Sequence, residues 1–238
     1  MSNLSALSLT AYLERCDASS FAGDPAFIHQ VHAYQTQLQQ ALQQSAQTPV
    51  QWQFRVPELG EGGSCSLFGQ LAAEPYDLAA TLGGVTPANL HLLQQVSAVV
   101  AFYQAHSQSH WFGVYQQRQN PQGELVLVKL VYFGAESRAE FPLTTEFAAI
   151  SNNSTVGLTG RGRIINDVSA YLAAGGEYYT CDPKVQAEAC LPLLDAAGQV
   201  LGIIDSEAFE KQIFAGDELA LLCAVALELP AIIGEQPA

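Results

Sequence analysis

Four side chains in the C-terminal third of the chain could act together: the thiol of Cys181 and the carboxyls of Glu188, Asp205 and Glu207. They bracket two brief apolar runs, 191–194 and 200–204. Between the runs lies Asp195-Ala196-Ala197-Gly198-Gln199, a polar connection of the kind that closes a hairpin. Pairing the runs as adjacent strands brings Glu188, at the start of one, near Asp205 and Glu207, at the end of the other. Crowded carboxylates repel one another unless a cation answers them, so the natural complement is a ligand carrying an ammonium group. Cys181 follows Tyr178-Tyr179-Thr180 and precedes Asp182-Pro183, a polar setting in which a thiol is expected to be accessible. Cys190 lies further along, and strand alternation puts it on the same face as Glu188. Taken singly, each group also has an ordinary structural role: a strand-end carboxylate in water, or a cysteine packed as a small apolar residue.

The elements that must hold these groups follow from hydrophobic periodicity. Trp111 and Tyr115 alternate along a strand predicted over 111–117 and share a face, either packing in the core or walling a pocket. Further strands are expected over 124–133, 139–143 and 163–165. A helical turn is expected over 145–150, a Gly-rich loop over 154–162, and a helix over 168–172 capped by Asp167. A final helix is expected over 217–233. Upstream, a short helix is expected over 8–15 and an amphipathic one over 27–46, opened by Asp24-Pro25 and Gln-rich on a face read as solvated. Residues 50–56 alternate like a strand and 57–64 read as turn or loop. The helix over 89–103 has so many apolar positions that it should be buried on most sides, including against a partner subunit. Strands outnumber the helices between them, giving an α+β antiparallel sheet with helices on one face.

Composition narrows the function. Nine Lys and Arg stand against 23 Asp and Glu, a net charge of −14, which argues against nucleic-acid binding, a property that rests on cationic contacts to phosphate. No apolar run approaches a membrane span and the N-terminus does not read as a secretory signal, so a cytoplasmic location is expected. The five cysteines, at 16, 65, 181, 190 and 223, form no Cys-x-x-Cys pair and have no His at ligand spacing. Neither a metal site nor a disulfide framework is expected.

From Trp111 onward the chain resembles a GAF domain, and within that superfamily the free methionine-(R)-sulfoxide reductase branch. The resemblance rests on Trp111-Phe112-Gly113-Val114-Tyr115, Gly157-Leu158-Thr159-Gly160, Asn166-Asp167-Val168, the stretch from Cys181 to Leu193 and that from Gly202 to Phe214. It implies a six-stranded antiparallel sheet with the N- and C-terminal helices packed on one face, over 87–236, preceded by a helical extension at 1–86. It also implies a small-molecule pocket without a cofactor. There Glu188, Asp205 and Glu207 hold an amino group, Glu207 standing where the branch has Asp. Trp111 walls the pocket, on the strand face it shares with Tyr115, and Cys181 attacks a sulfoxide sulfur to become a sulfenic acid; Tyr178 and Tyr179, placed just before the cysteine, are expected to close over the ligand. Two cysteines that resolve this acid in the branch fall near Arg138 and on Thr159, and neither is present. Cys190, or an external thiol such as thioredoxin, would have to substitute. Two functions follow: an acidic receptor pocket for an amino-acid-like ligand, or a reductase with a non-standard resolving thiol. GAF domains also suggest a homodimer through the terminal helices.

Overall fold

A computed structural model describes residues 7–60, 66–176, 178 and 182–234. The chain opens with helices α1 (Leu9–Arg15) and α2 (Pro25–Leu42). Four short strands follow, β1 (Gln53–Phe54), β2 (Pro57–Leu59), β3 (Ser66–Leu71) and β4 (Tyr76–Asp77), then helices α3 (Leu78–Thr81) and α4 (Pro87–His106). The remainder comprises β5 (Trp111–Gln119), β6 (Leu125–Phe133), β7 (Glu140–Pro142), α5 (Thr145–Ala148), α6 (Asn152–Thr159), β8 (Arg163–Ile165), α7 (Val168–Ala173), β9 (Ala187–Leu194), β10 (Val200–Ala208) and α8 (Gly216–Ile233).

Six strands form one antiparallel sheet in the order β7-β6-β5-β10-β9-β8. The chain enters it at a central strand, β5, and runs outward through β6 and β7. It then crosses by α5 and α6 to the far edge at β8 and returns inward through β9 and β10. That return sets β10 directly against β5, so residues 111–115 and 203–207, far apart in sequence, become neighbours. This is the α+β antiparallel sheet that the resemblance implies.

Alternation along these strands divides their side chains between two cores. Phe112, Val114, Val126, Val128, Leu191, Leu193 and Ile204 belong to the larger one, which they share with the buried sides of α2, α4 and α8. Trp111, Tyr115, Leu127, Phe141, Cys190 and Ile203 join a smaller one on the opposite face, with Val156 of α6. Helix starts behave as their residues dictate: the side chains of Ser8, Asp24, Thr86 and Asp167 each accept a backbone amide of the first turn. In the β9–β10 hairpin, Asp195 Oδ1 accepts from the amides of Ala197 and Gln199, both at 2.8 Å, and Gly198 takes a positive φ of 78°.

Several expectations are corrected. The strand expected over 50–56 shrinks to β1, paired with β4, and the turn expected over 57–64 contains β2, paired with β3. The Gly-rich stretch expected to be a loop is largely helix α6, capped by Ser151 and ended by Gly160 with φ 62°. Gly157 sits in that helix because it packs close: a Cβ there would come within 2.7 Å of Leu143 Cδ2. The Gln-rich face of α2 is not simply solvated, since Gln35 and Gln39 donate to Glu228 Oε1 of α8 at 3.0 and 3.1 Å. Within the chain, α2 packs along α8 and against α4. Helix α1 is equally integrated, Tyr12 donating to the Pro192 carbonyl at 2.9 Å. No helix among the described residues is long and apolar enough to cross a membrane.

Candidate functional site

On the small-core face a cavity of about 90 Å³ opens at one end of the central strands. Register builds its acidic wall. Glu207 pairs with Glu188 across β9–β10 and with Trp111 across β5–β10, while Asp205 pairs with Cys190 and Gly113. With a period of two, Glu188 and Cys190, Asp205 and Glu207, and Trp111 and Tyr115 all project from the same face. Glu188, Asp205, Glu207, Trp111 and Tyr115 line the cavity, joined by Asp182, Asn152, Asn153 and Arg138.

Glu188 and Asp205 are buried, at 5% and 4% exposure, and Glu207 is partly so. Each is held by α6. Asn152 Nδ2 donates to Glu188 Oε1 and Asn153 Nδ2 to Asp205 Oδ2, both at 3.1 Å. Behind Asn152, Arg163 of β8 donates to its Oδ1 at 2.5 Å, so a guanidinium reaches Glu188 through one amide. Tyr178 donates to Glu188 as well. Asp205 Oδ1, in contrast, is buried and accepts no hydrogen bond from any described residue.

The electrostatics follow from this crowding. Burial pushes the Glu188 carboxyl up, while Tyr178, Asn152 and the charge of Arg163 favour its ionised form. Burial, then the charges of Glu188 and Glu207, raise Asp205 well above the ordinary carboxyl range. Burial and the charges of Glu188 and Asp182 carry Glu207 up to about 8. Near neutral pH the cluster therefore retains protons, and a cation entering it would displace them.

The aromatic floor depends on two glycines. The Trp111 ring lies over Gly113, where a Cβ would meet Cη2 at 2.4 Å, and against Gly134, where a Cβ would meet Cδ1 at 2.7 Å. Trp111 Nε1 donates to the Ala135 carbonyl at 3.0 Å, and its ring neighbours those of Tyr115 and Tyr132.

The structure thus brings together Trp111, Tyr115, Glu188, Asp205 and Glu207. Cys190 is fully buried in the small core, and burial with the charges of Asp205 and Glu188 pushes its thiol up; it does not line the cavity. Cys181 and Tyr179 lie outside the described residues. Sequence reasoning missed Asn152 and Asn153, which precede the stretch expected to be a Gly-rich loop. The signal was available in Ser151, a helix cap that sets the next two side chains at the first turn of α6. It also missed Arg138, noted there only as occupying a cysteine's place.

A second cavity, of about 310 Å³, adjoins the first. Ala135, Glu136, Ser137 and Asp182 line both. Its outer wall is the β2–β3 hairpin, through Pro57, Leu67 and Leu71, so the extension stands beside the site.

No family model matches the chain, and no curated protein matches it significantly. Among solved structures it is similar to the type II free methionine-R-sulfoxide reductase of Thermoplasma acidophilum, with 19% identity and a TM-score of 0.51 over 62% of this chain and 96% of that one. A protein of Burkholderia vietnamiensis described as a GAF sensor is 17% identical over 84% of this chain and 94% of its own, with a TM-score of 0.49. The free methionine-R-sulfoxide reductase of Staphylococcus aureus, in complex with substrate, is 18% identical with a TM-score of 0.47, over 60% and 84%. At these identities the shared property is the fold.

Proposed function

We propose that this GAF-fold chain binds a small, ammonium-bearing, amino-acid-like molecule in the cavity between β5, β9 and β10. The observation that carries the reading is Asp205 Oδ1: a buried carboxyl oxygen that accepts no hydrogen bond from any described residue, beside two further carboxyls, on a cavity wall. An unsatisfied acceptor of this kind costs stability, and an ammonium group would supply up to three donors and a positive charge to the trio. Trp111 and Tyr115 offer apolar and π surface to the rest of a small molecule. A cavity of this size suits a handful of waters or one small metabolite, not a nucleotide or a tetrapyrrole. The test is a thermal-shift and calorimetric screen of free amino acids and their oxidised forms against wild type and Glu188→Gln. Binding by wild type that weakens in the variant is expected. A chain that binds none of them would end the reading.

One observation favours a second reading, free methionine-(R)-sulfoxide reduction. A carboxyl that keeps its proton up to about pH 8, as Glu207 does, is a proton donor for a sulfoxide oxygen. Cys181 would attack the sulfur and leave as a sulfenic acid, releasing the thioether. A second thiol would then condense with that acid, giving a disulfide and water. The buried Cys190 would need the small core to open before it could serve, so an external thiol such as thioredoxin is the simpler resolver. NADPH oxidation coupled through thioredoxin and its reductase, abolished by Cys181→Ser, is the result expected of an enzyme. Equal rates in wild type and variant would leave the receptor reading.

A further inference from the structure

Resting on the ammonium reading of the cavity, we infer that Arg163 is a positioning residue of the ligand site: acting through the amide of Asn152, it holds the Glu188 carboxylate on the cavity wall as the counter-charge that selects an ammonium. Three elements meet to build this relay. β8, at the edge of the sheet, pairs with β9 so that Ile165 lies opposite Glu188 and Arg163 opposite Cys190. Cross-strand partners share a face. Arg163 therefore stands on the small-core side, diagonal to Glu188. Helix α6 packs on β9 and β10 from that same side, with Val156 in the small core. Asn152, its first residue after the Ser151 cap, bonds both partners.

The relay has one sense. A guanidinium only donates and an ionised carboxylate only accepts, whereas an amide has one accepting and one donating end. Arg163 Nη1 donates to Asn152 Oδ1 at 2.5 Å, which leaves Nδ2 to donate to Glu188 Oε1 at 3.1 Å. Reversing the amide would set donor against donor at one end and acceptor against acceptor at the other. Arg163 thus fixes the amide, and the amide fixes the carboxylate. The surrounding groups place the negative charge to match. Hydrogen bonds from Tyr178 and Asn152 and the charge of Arg163 favour ionised Glu188 against the cost of its burial. Glu188 in turn raises Asp205 and Glu207 of β10 and Cys190 of β9, and Asp182 adds to Glu207. The charge of the trio is thereby gathered on Glu188, the acid that a cation stands behind.

The test titrates two probes calorimetrically into the full chain: L-methionine (R)-sulfoxide and its desamino analogue, γ-(methylsulfinyl)butyrate, which lacks only the ammonium. Wild type is expected to prefer the amino acid by about tenfold or more, the scale of a charge-assisted pair. Arg163→Met should cut that preference by about fivefold or more and leave the analogue's affinity within about twofold. In a Glu188→Gln chain, where the amide has no carboxylate to hold, adding Arg163→Met should change nothing further. Arg163→Lys keeps the charge and a donor for Asn152 Oδ1, so it should retain most of the preference. Thermal melting checks that each variant folds. If a folded Arg163→Met chain keeps the full preference, or weakens both probes alike, the inference is overturned while the ammonium reading stands. The same holds if its cost is undiminished beside Glu188→Gln. If wild type binds neither probe, or both equally, the ammonium reading falls and the inference with it.

Discussion

The two faces of the central sheet are built from the same strands and answer to opposite demands. On the helix-covered face, Phe112, Val114, Leu191, Leu193 and Ile204 meet α4 and α8 in a close-packed apolar layer. On the other, one residue along each strand, Trp111, Tyr115, Cys190 and Ile203 make a thinner layer that ends in three carboxyls and a cavity. A sheet with one satisfied face can carry a strained one: the larger core supplies the stability that the acidic cluster withdraws. Charge can be crowded on one side because the opposite side of the same backbone is apolar and closely packed.

The contrast breaks most completely if the helix-covered face is opened. A chain beginning at residue 48 lacks α1 and α2 and uncovers α8, whose buried residues include Leu221, Leu222, Val225 and Leu229. Light scattering should give a defined mass for the full chain, and larger aggregates or precipitation for the truncated one. A smaller cut into the same face, Leu191→Ala, should lower unfolding free energy by about 2–5 kcal/mol in urea; a change under about 1 kcal/mol would mean that the site collapses freely. On the opposite face the sign changes. Asp205→Asn keeps an acceptor for Asn153 and removes a crowded charge, so its melting temperature at pH 8 should equal or exceed wild type. The same substitution should weaken binding of an amine probe by tenfold or more, about 1.5–3 kcal/mol for a lost charge-assisted hydrogen bond.

The smallest effect is a slope with pH. Asp205 and Glu207 hold their protons more tightly in the folded chain than in the unfolded one. Their stabilisation is therefore complete below the unfolded carboxyl range, about pH 4, and is lost as pH rises toward the folded value, about 8 for Glu207. Melting temperature should decline from pH 5 to pH 8, less steeply in Glu207→Gln. Since a bound ammonium displaces those protons, the stabilisation it gives should be largest at the alkaline end.

Much of the site was legible because it is local or periodic. Glu188, Asp205 and Glu207 are joined by one hairpin whose turn chemistry, Asp195 with Gly198, pairs the strands, and strand alternation assigns them a face. Helix α6 was not legible, since Gly157 and Gly160 read as loop punctuation. Gly157 is there for close packing against Leu143 and only Gly160 for the left-handed stop. Without that helix, Asn152 and Asn153 had no reason to be near a carboxylate.

The sequence by itself determined the α+β pattern, the hairpin and the acidic trio, because hydrophobic period, turn residues and strand alternation act over a few neighbouring positions. The tertiary structure alone decided three other matters: that α2 covers α8, that Cys190 is sealed in the small core, and that Arg138 lines the same cavity as the acids. Each depends on the crossover from β7 to β8 and the return of β10 against β5. Such contacts between distant segments are set by how the whole chain buries its apolar surface, and no local spacing encodes them.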